Sequence, residues 1–169
     1  AGLCDEAAVR AILSQGRAAI EWLIATGVPF SRADNGSLHL TREGGHGASR
    51  IAHVADHTGL SIMQALYRAV ASRPNIQRLE QTMAVDLLQD DEDRCVGVRV
   101  LHQGQLQPML ATSVVLASGG CGQVYARTTT PTACTGDGIA MAFRAGCAAA
   151  NMAFMQFHPT GFAGHAGPS

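Results

Sequence analysis

Ser113-Val-Val-Leu-Ala-Ser-Gly-Gly-Cys-Gly122, followed by Thr135-Gly-Asp-Gly-Ile-Ala-Met-Ala-Phe-Arg-Ala-Gly146, is the stretch whose reading decides the fold. Its first half is a short apolar run that stops at glycines. Such a run reads as a buried parallel strand ending in a tight turn. Its second half is a Gly-Asp-Gly that opens a helical pattern. Glycines let a backbone come close to a ligand, and a helix N-terminus offers free N–H groups with partial positive charge. An Asp at that place faces a donor such as a ribose hydroxyl or a backbone N–H. Strand, turn and helix start together suggest the wall of a nucleotide site.

Upstream of this stretch the pattern is antiparallel. Met83–Leu88 reads as a strand, with Ile76–Leu79 as a second strand-like run before it. Val96, Val98 and Val100 alternate within a strand over Cys95–Leu101, which pairs with Leu106–Leu110 around a Gln103-Gly104 turn. The acidic Asp90-Asp-Glu-Asp93 between them reads as a solvated turn and lacks the pattern of a calcium-binding loop. Further back, Leu60–Ala71 is an amphipathic helix that Pro74 ends. Ile51–His53 is a short strand. Asp5–Thr26 reads as a single helix capped by Asp5 and stopped at Gly27, with an apolar stripe that includes Val9, Ile12, Ile20 and Leu23. Asp34-Asn-Gly36 marks the turn of a small hairpin. Strands alternating with helices, an inserted meander and then the apolar Val114–Leu116 make an α/β pattern.

Thr41-Arg-Glu-Gly-Gly-His-Gly-Ala-Ser-Arg50 holds three glycines and charges of both signs. Composition leaves two readings open: an exposed connector, or backbone N–H groups and Glu43 aimed at a ligand. Downstream, Ile139–Ala150 reads as an Ala-rich helix and Met152–Phe157 as a dense apolar run. That run ends in His158-Pro-Thr-Gly161. A histidine beside an apolar run is commonly a hydrogen-bonded structural residue. Gln156, Thr160 and Gly161 around it give the alternative of a ligand site. Gly120-Cys-Gly-Gln-Val-Tyr125 begins like a dinucleotide fingerprint, but Tyr125 stands where its last glycine belongs. No acidic residue ends a strand about 20 residues on. If the fold binds a dinucleotide, its first βαβ unit is not in this chain.

The bulk properties bound the function. At 169 residues the expectation is one domain, and 47% hydrophobic residues suffice for a core. A net charge of −1 gives no reason to expect nucleic acid or an anionic membrane as partner. The five cysteines are scattered with no Cys-x-x-Cys pair, which fits a reducing compartment and argues against a structural zinc site. No run approaches the ~20 apolar residues a membrane span needs. The chain opens without an initiator Met or signal peptide and stops at Gly167-Pro-Ser169 just after a motif. The expectation is a piece of something longer.

Taken together, Thr135–Ala140, Arg144-Ala-Gly146, Met155-Gln-Phe-His-Pro-Thr-Gly161 and Val114–Gly120 resemble the flavoprotein family of succinate dehydrogenase and fumarate reductase. Ser118 stands where that family usually has Thr and keeps the hydroxyl. Leu40-Thr-Arg-Glu-Gly-Gly-His46, Ser49–Gly59 and Arg73-Pro-Asn-Ile76 resemble its L-aspartate oxidase branch. The resemblance covers nearly the whole chain. It implies an α/β fold: a partial FAD-binding, Rossmann-like domain with an inserted antiparallel β-meander. Residues 1–157 would be that domain without its N-terminal βαβ unit, and 158–169 the start of a capping, substrate-binding domain.

The resemblance also implies roles. Glu43 would sit near the α-ammonium of the substrate, the group that distinguishes aspartate from succinate. His158 and Thr160 would bind a substrate carboxylate. The Ala84-Val85 backbone would meet the adenine edge, Asp137 would contact FAD, and Gly119 and Gly120 would line its approach. The implied reaction is hydride transfer from L-aspartate to the flavin, giving iminoaspartate for quinolinate and NAD synthesis. Oxygen or fumarate would be the acceptor. Quinolinate synthase is an implied partner and the cytoplasm the implied location. The proton-shuttling arginine would lie beyond Ser169, so this chain alone is expected to be inactive. Two other readings stay open: a fumarate reductase or succinate dehydrogenase flavoprotein, with Glu43 as the discriminator, and a non-catalytic nucleotide-binding domain.

Overall fold

The structure, a computed structural model, describes residues 4–157. The chain divides into two units, Ala1–Arg78 and Leu79–Ser169.

In the first unit, Asp5 caps the opening helix as its sequence predicts. Its Oδ1 accepts from the N–H groups of Ala7 (2.9 Å) and Ala8 (3.1 Å). The single helix expected over Asp5–Thr26 is instead two, α1 (Glu6–Ser14) and α2 (Gly16–Ala25). They meet at Gln15, where Ser14 Oγ donates back to the Ala11 carbonyl (2.9 Å) and the Gln15 N–H turns to Ile12 (3.2 Å). A serine that bonds its own helix tightens the last turn, and Gly16 lets the chain restart. None of the α1 residues is buried. α2 supplies Ile20, Leu23 and Ile24 to a core of Val28, Phe30, Val54 and Ala65.

That core sits on a small antiparallel patch. β1 (Leu40–Thr41) pairs with β2 (Ile51–Ala52), and Arg32 bridges Leu38 across the predicted Asp34–Gly36 turn. The Asn35 side chain closes this turn by accepting from the Ser37 N–H (3.0 Å). α3 (Thr58–Ala71) covers the core with Ile62 and Ala65. Ile76–Leu79 forms no strand. The Ile76 N–H is taken by the Arg73 carbonyl (3.1 Å) in a turn, and Arg78 lies 4.1 Å over the Tyr67 ring.

The second unit is built on the predicted meander. β3 (Thr82–Gln89), β4 (Cys95–His102) and β5 (Gln105–Leu110) pair antiparallel in that order. Gln103 and Gly104 both have positive φ (49° and 77°), which a two-residue hairpin turn matched to strand twist requires. α4 (Asp137–Arg144) packs on β3. It ends well short of the Ala150 that composition suggests. The Gly146 N–H bonds the Phe143 carbonyl (3.0 Å) and the Cys147 N–H the Ala142 carbonyl (3.0 Å). This paired cap ends the helix despite the alanines that follow.

The largest departure is the opening stretch. Val114–Leu116 is not a strand, and Val115 is 86% exposed. A strand exists only in a ladder, and among the described residues no segment pairs with it. No helix among the described residues is long and apolar enough to cross a membrane.

Candidate functional site

The site in the second unit forms where the two halves of the glycine stretch meet. The Gly136 N–H donates to the Gly120 carbonyl (3.2 Å), and the Gln123 N–H to the Cys134 carbonyl (3.0 Å). The turn and the helix start are therefore laced backbone to backbone. Their approach leaves no room for side chains. A Cβ on Gly138 would lie 1.9 Å from Ser118 Oγ, and one on Gly136 would lie 2.9 Å from the Cys121 Cβ. Gly136 is also left-handed, at φ 84°, as the residue that leads into α4. Only glycine holds that geometry without steric cost.

Gly119 and Gly120 are exposed beside this joint, and nothing lies within 4 Å of a Cβ built on Gly120. Asp137 is the first residue of α4, and its Oδ2 accepts from Thr135 Oγ1 at 2.6 Å. The structure thus brings Gly119, Gly120 and Asp137 together. The arrangement is an open glycine ledge at a helix N-terminus, whose first N–H groups have no acceptor within the helix. Those N–H donors suit the phosphates of a dinucleotide, and the Asp137 carboxylate is an acceptor of the kind a ribose hydroxyl needs.

Ala84 and Val85 lie at the other end of α4. α4 runs seven residue steps from Asp137 to Arg144, a rise of about 10 Å along the helix. Val85 occupies a bulge: β4 pairs Val100 with Ala84 and Arg99 with Asp86, so no β4 residue stands opposite Val85. Its carbonyl accepts from Arg144 Nη2 (2.7 Å), while Arg144 Nε donates to Asp86 Oδ1 (2.5 Å). Beyond β3, Asp90 accepts from the Glu92 and Arg94 N–H groups and pairs with the Arg94 guanidinium. The Arg94 hydrogen bonds hold the Asp90 carboxyl below its ordinary value.

Glu43 belongs to the first unit, in the loop between β1 and β2. Its N–H donates to His46 Nδ1 (3.2 Å) and its carbonyl accepts from the His46 N–H (3.1 Å). His46 thereby pins the Glu43 backbone in a tight turn and leaves the residue exposed. At the base of this hairpin is a pair that motif reading missed. His39 Nδ1 and His53 Nε2 are 2.8 Å apart, and His53 Nδ1 faces the Ala55 carbonyl (3.2 Å). In a neutral His53 ring only Nδ1–H can satisfy that carbonyl, which leaves Nε2 to accept from His39. The signal was register: once Leu40 faces Ala52, residue 39 must face residue 53. Near α3, the His57 hydrogen bond lowers the Asp56 carboxyl. His158 and Thr160 lie outside the described residues.

A family profile described as an FAD binding domain matches residues 1–169. The chain is 59% identical over 165 residues to the L-aspartate oxidase of Neisseria meningitidis serogroup B, covering 96% of this chain and 32% of that protein. It is 53% identical to L-aspartate oxidase 1 of Ralstonia nicotianae, covering 95% and 32%. Among solved structures, a quinol fumarate reductase FrdA variant of E. coli matches with a TM-score of 0.79 at 32% identity, covering 84% of this chain and 24% of that one. The chain spans about a third of the length of the curated relatives it matches.

Proposed function

This chain belongs to the FAD-binding domain family, and we propose that the protein carrying it is an FAD-dependent L-aspartate oxidase. The observation that supports this reading is the near-full-length similarity of the chain to curated L-aspartate oxidases from several bacteria. The reaction is oxidation of L-aspartate to iminoaspartate, feeding quinolinate and NAD synthesis in the cytoplasm. Quinolinate synthase is the partner that would take the product, and oxygen or fumarate the final acceptor.

Residues 1–157 are the FAD-binding part, and 158–169 begin the capping domain. Gly119 and Gly120 let the dinucleotide approach the backbone. The α4 N-terminus favours its negative charge, and Asp137 accepts from a ribose hydroxyl. The Ala84-Val85 peptide reads the adenine edge. Bound FAD supplies the two-electron acceptor for the hydride leaving aspartate Cα. The protein's own task is to hold the substrate. Glu43 attracts the α-ammonium through a charge-assisted hydrogen bond, and His158 and Thr160 bind a carboxylate. A dicarboxylate without an amine gains nothing from Glu43.

The similarity to fumarate reductase favours a second reading, in which fumarate reduction is the main activity. Glu43→Gln in the complete protein separates the two. It removes the charge and keeps the shape. Aspartate turnover is expected to fall about tenfold or more, the scale of one charge-assisted hydrogen bond, with fumarate reduction nearly unchanged. An equal loss of both activities contradicts the role given to Glu43.

A further inference from the structure

Resting on the reading that the Ala84-Val85 peptide meets the adenine edge, we infer that Arg144 is the positioning residue for that recognition. A backbone reads a base only if its peptide plane is fixed. In a regular ladder the neighbouring strand fixes it. Val85 lacks that support, because the β3–β4 register passes from the Ala84–Val100 pair to the Asp86–Arg99 pair. Bulged residues are re-aimed out of the ladder, and their orientation has to be set by other contacts.

Arg144 supplies those contacts. Its Nη2 donates to the Val85 carbonyl at 2.7 Å and its Nε to the next residue's carboxylate, Asp86 Oδ1, at 2.5 Å. One planar guanidinium therefore spans the bulged peptide and the side chain that follows it. The same end of α4 is strapped to β3 a second time, by Gln89 Nε2 donating to the Ala145 carbonyl (3.2 Å). Arg144 is the last residue of α4 and Asp137 the first, so one short helix ties the bulge to the glycine ledge. A carbonyl has two lone pairs, so a bond from Arg144 leaves the Val85 oxygen able to accept another donor.

A peptide edge offers one N–H and one C=O. The adenine edge offers the complement, an acceptor at N1 and a donor at the 6-amino group. Hypoxanthine inverts both, with a proton on N1 and an oxygen at position 6. A correctly oriented peptide prefers the adenine form, and a peptide free to rotate does not.

The test is binding, without turnover. The apo form of the complete protein is titrated with FAD, with flavin hypoxanthine dinucleotide and with riboflavin, following flavin fluorescence. Wild type is expected to prefer FAD over the hypoxanthine form by about tenfold or more, since a mispaired donor and acceptor cost at least one hydrogen bond. Arg144→Met is expected to cut that preference to about threefold or less, by the same scale, with riboflavin binding unchanged. Arg144→Lys keeps the charge but cannot span both partners, so it is expected to fall between the two. Should Arg144→Met fail to fold, the Arg144→Lys ratio decides. Equal affinities in wild type overturn the adenine reading and the inference with it. A wild-type preference that Arg144→Met or Arg144→Lys retains in full overturns the role of Arg144 alone.

Discussion

Gly136→Ala places a methyl group where two separate constraints oppose it. The residue sits at φ 84°, a left-handed backbone that costs an L-residue about 1–2 kcal/mol. The new Cβ would stand 2.9 Å from the Cys121 Cβ, an atom fixed to its own backbone. Rotating a side chain cannot relieve that contact, so the turn must move, at the roughly 1–3 kcal/mol typical of overpacking. The expected loss is about 2–5 kcal/mol, with weakened FAD binding because the moved turn is the glycine ledge. The double variant Cys121→Gly/Gly136→Ala removes the contact but not the backbone strain. It should recover about 1–3 kcal/mol relative to Cys121→Gly and Gly136→Ala treated as additive. The assay is urea unfolding of the complete protein at saturating and at zero FAD, compared with wild type and both single variants. A Gly136→Ala protein within about 0.5 kcal/mol of wild type, the scatter expected at an ordinary surface position, would refute the reasoning.

The other expectations are local. Asp5→Ala removes the α1 cap, worth about 1 kcal/mol, and should speed amide exchange at Ala7 and Ala8, while Asp5→Asn keeps the cap. Protection that is the same in all three proteins would contradict the capping geometry. Arg94→Met should raise the Asp90 carboxyl back toward its ordinary value, readable in a carboxylate NMR titration. Because the folded value is the lower one, this group's contribution to stability is complete above the ordinary carboxylate range. It shrinks as pH falls through the lowered value, and the variant should lose the guanidinium's part of that acid-side dependence while the backbone N–H bonds to Asp90 remain. An unmoved Asp90 titration would show that Arg94 is not its cause.

Much of this was legible in the residues because the signals were local. The Gln103-Gly104 turn, the valine alternation of β4 and the Asp5 cap each depend on a few neighbouring residues, and each stands as read. What was not legible depends on partners. Val114–Leu116 has the composition of a buried strand, but pairing is not written in a single segment. Ile76–Leu79 failed for the same reason, its backbone already taken by a turn. Ser14 split the first helix through one back-bond to Ala11, a choice that propensity does not encode. At the site, the glycine turn and the Gly-Asp-Gly helix start were legible as motifs, whereas their backbone joint, the Val85 bulge and its grip by Arg144 depend on contacts between distant segments. The His39–His53 pair was hidden until β1 and β2 were aligned.

The most direct measurement is anaerobic mixing of the complete, FAD-loaded protein with L-aspartate while the visible flavin absorbance is followed. The account predicts that aspartate bleaches the flavin band and yields iminoaspartate, that succinate bleaches it far more slowly, and that Glu43→Gln removes most of the difference. A flavin that succinate reduces and aspartate leaves oxidised would contradict it.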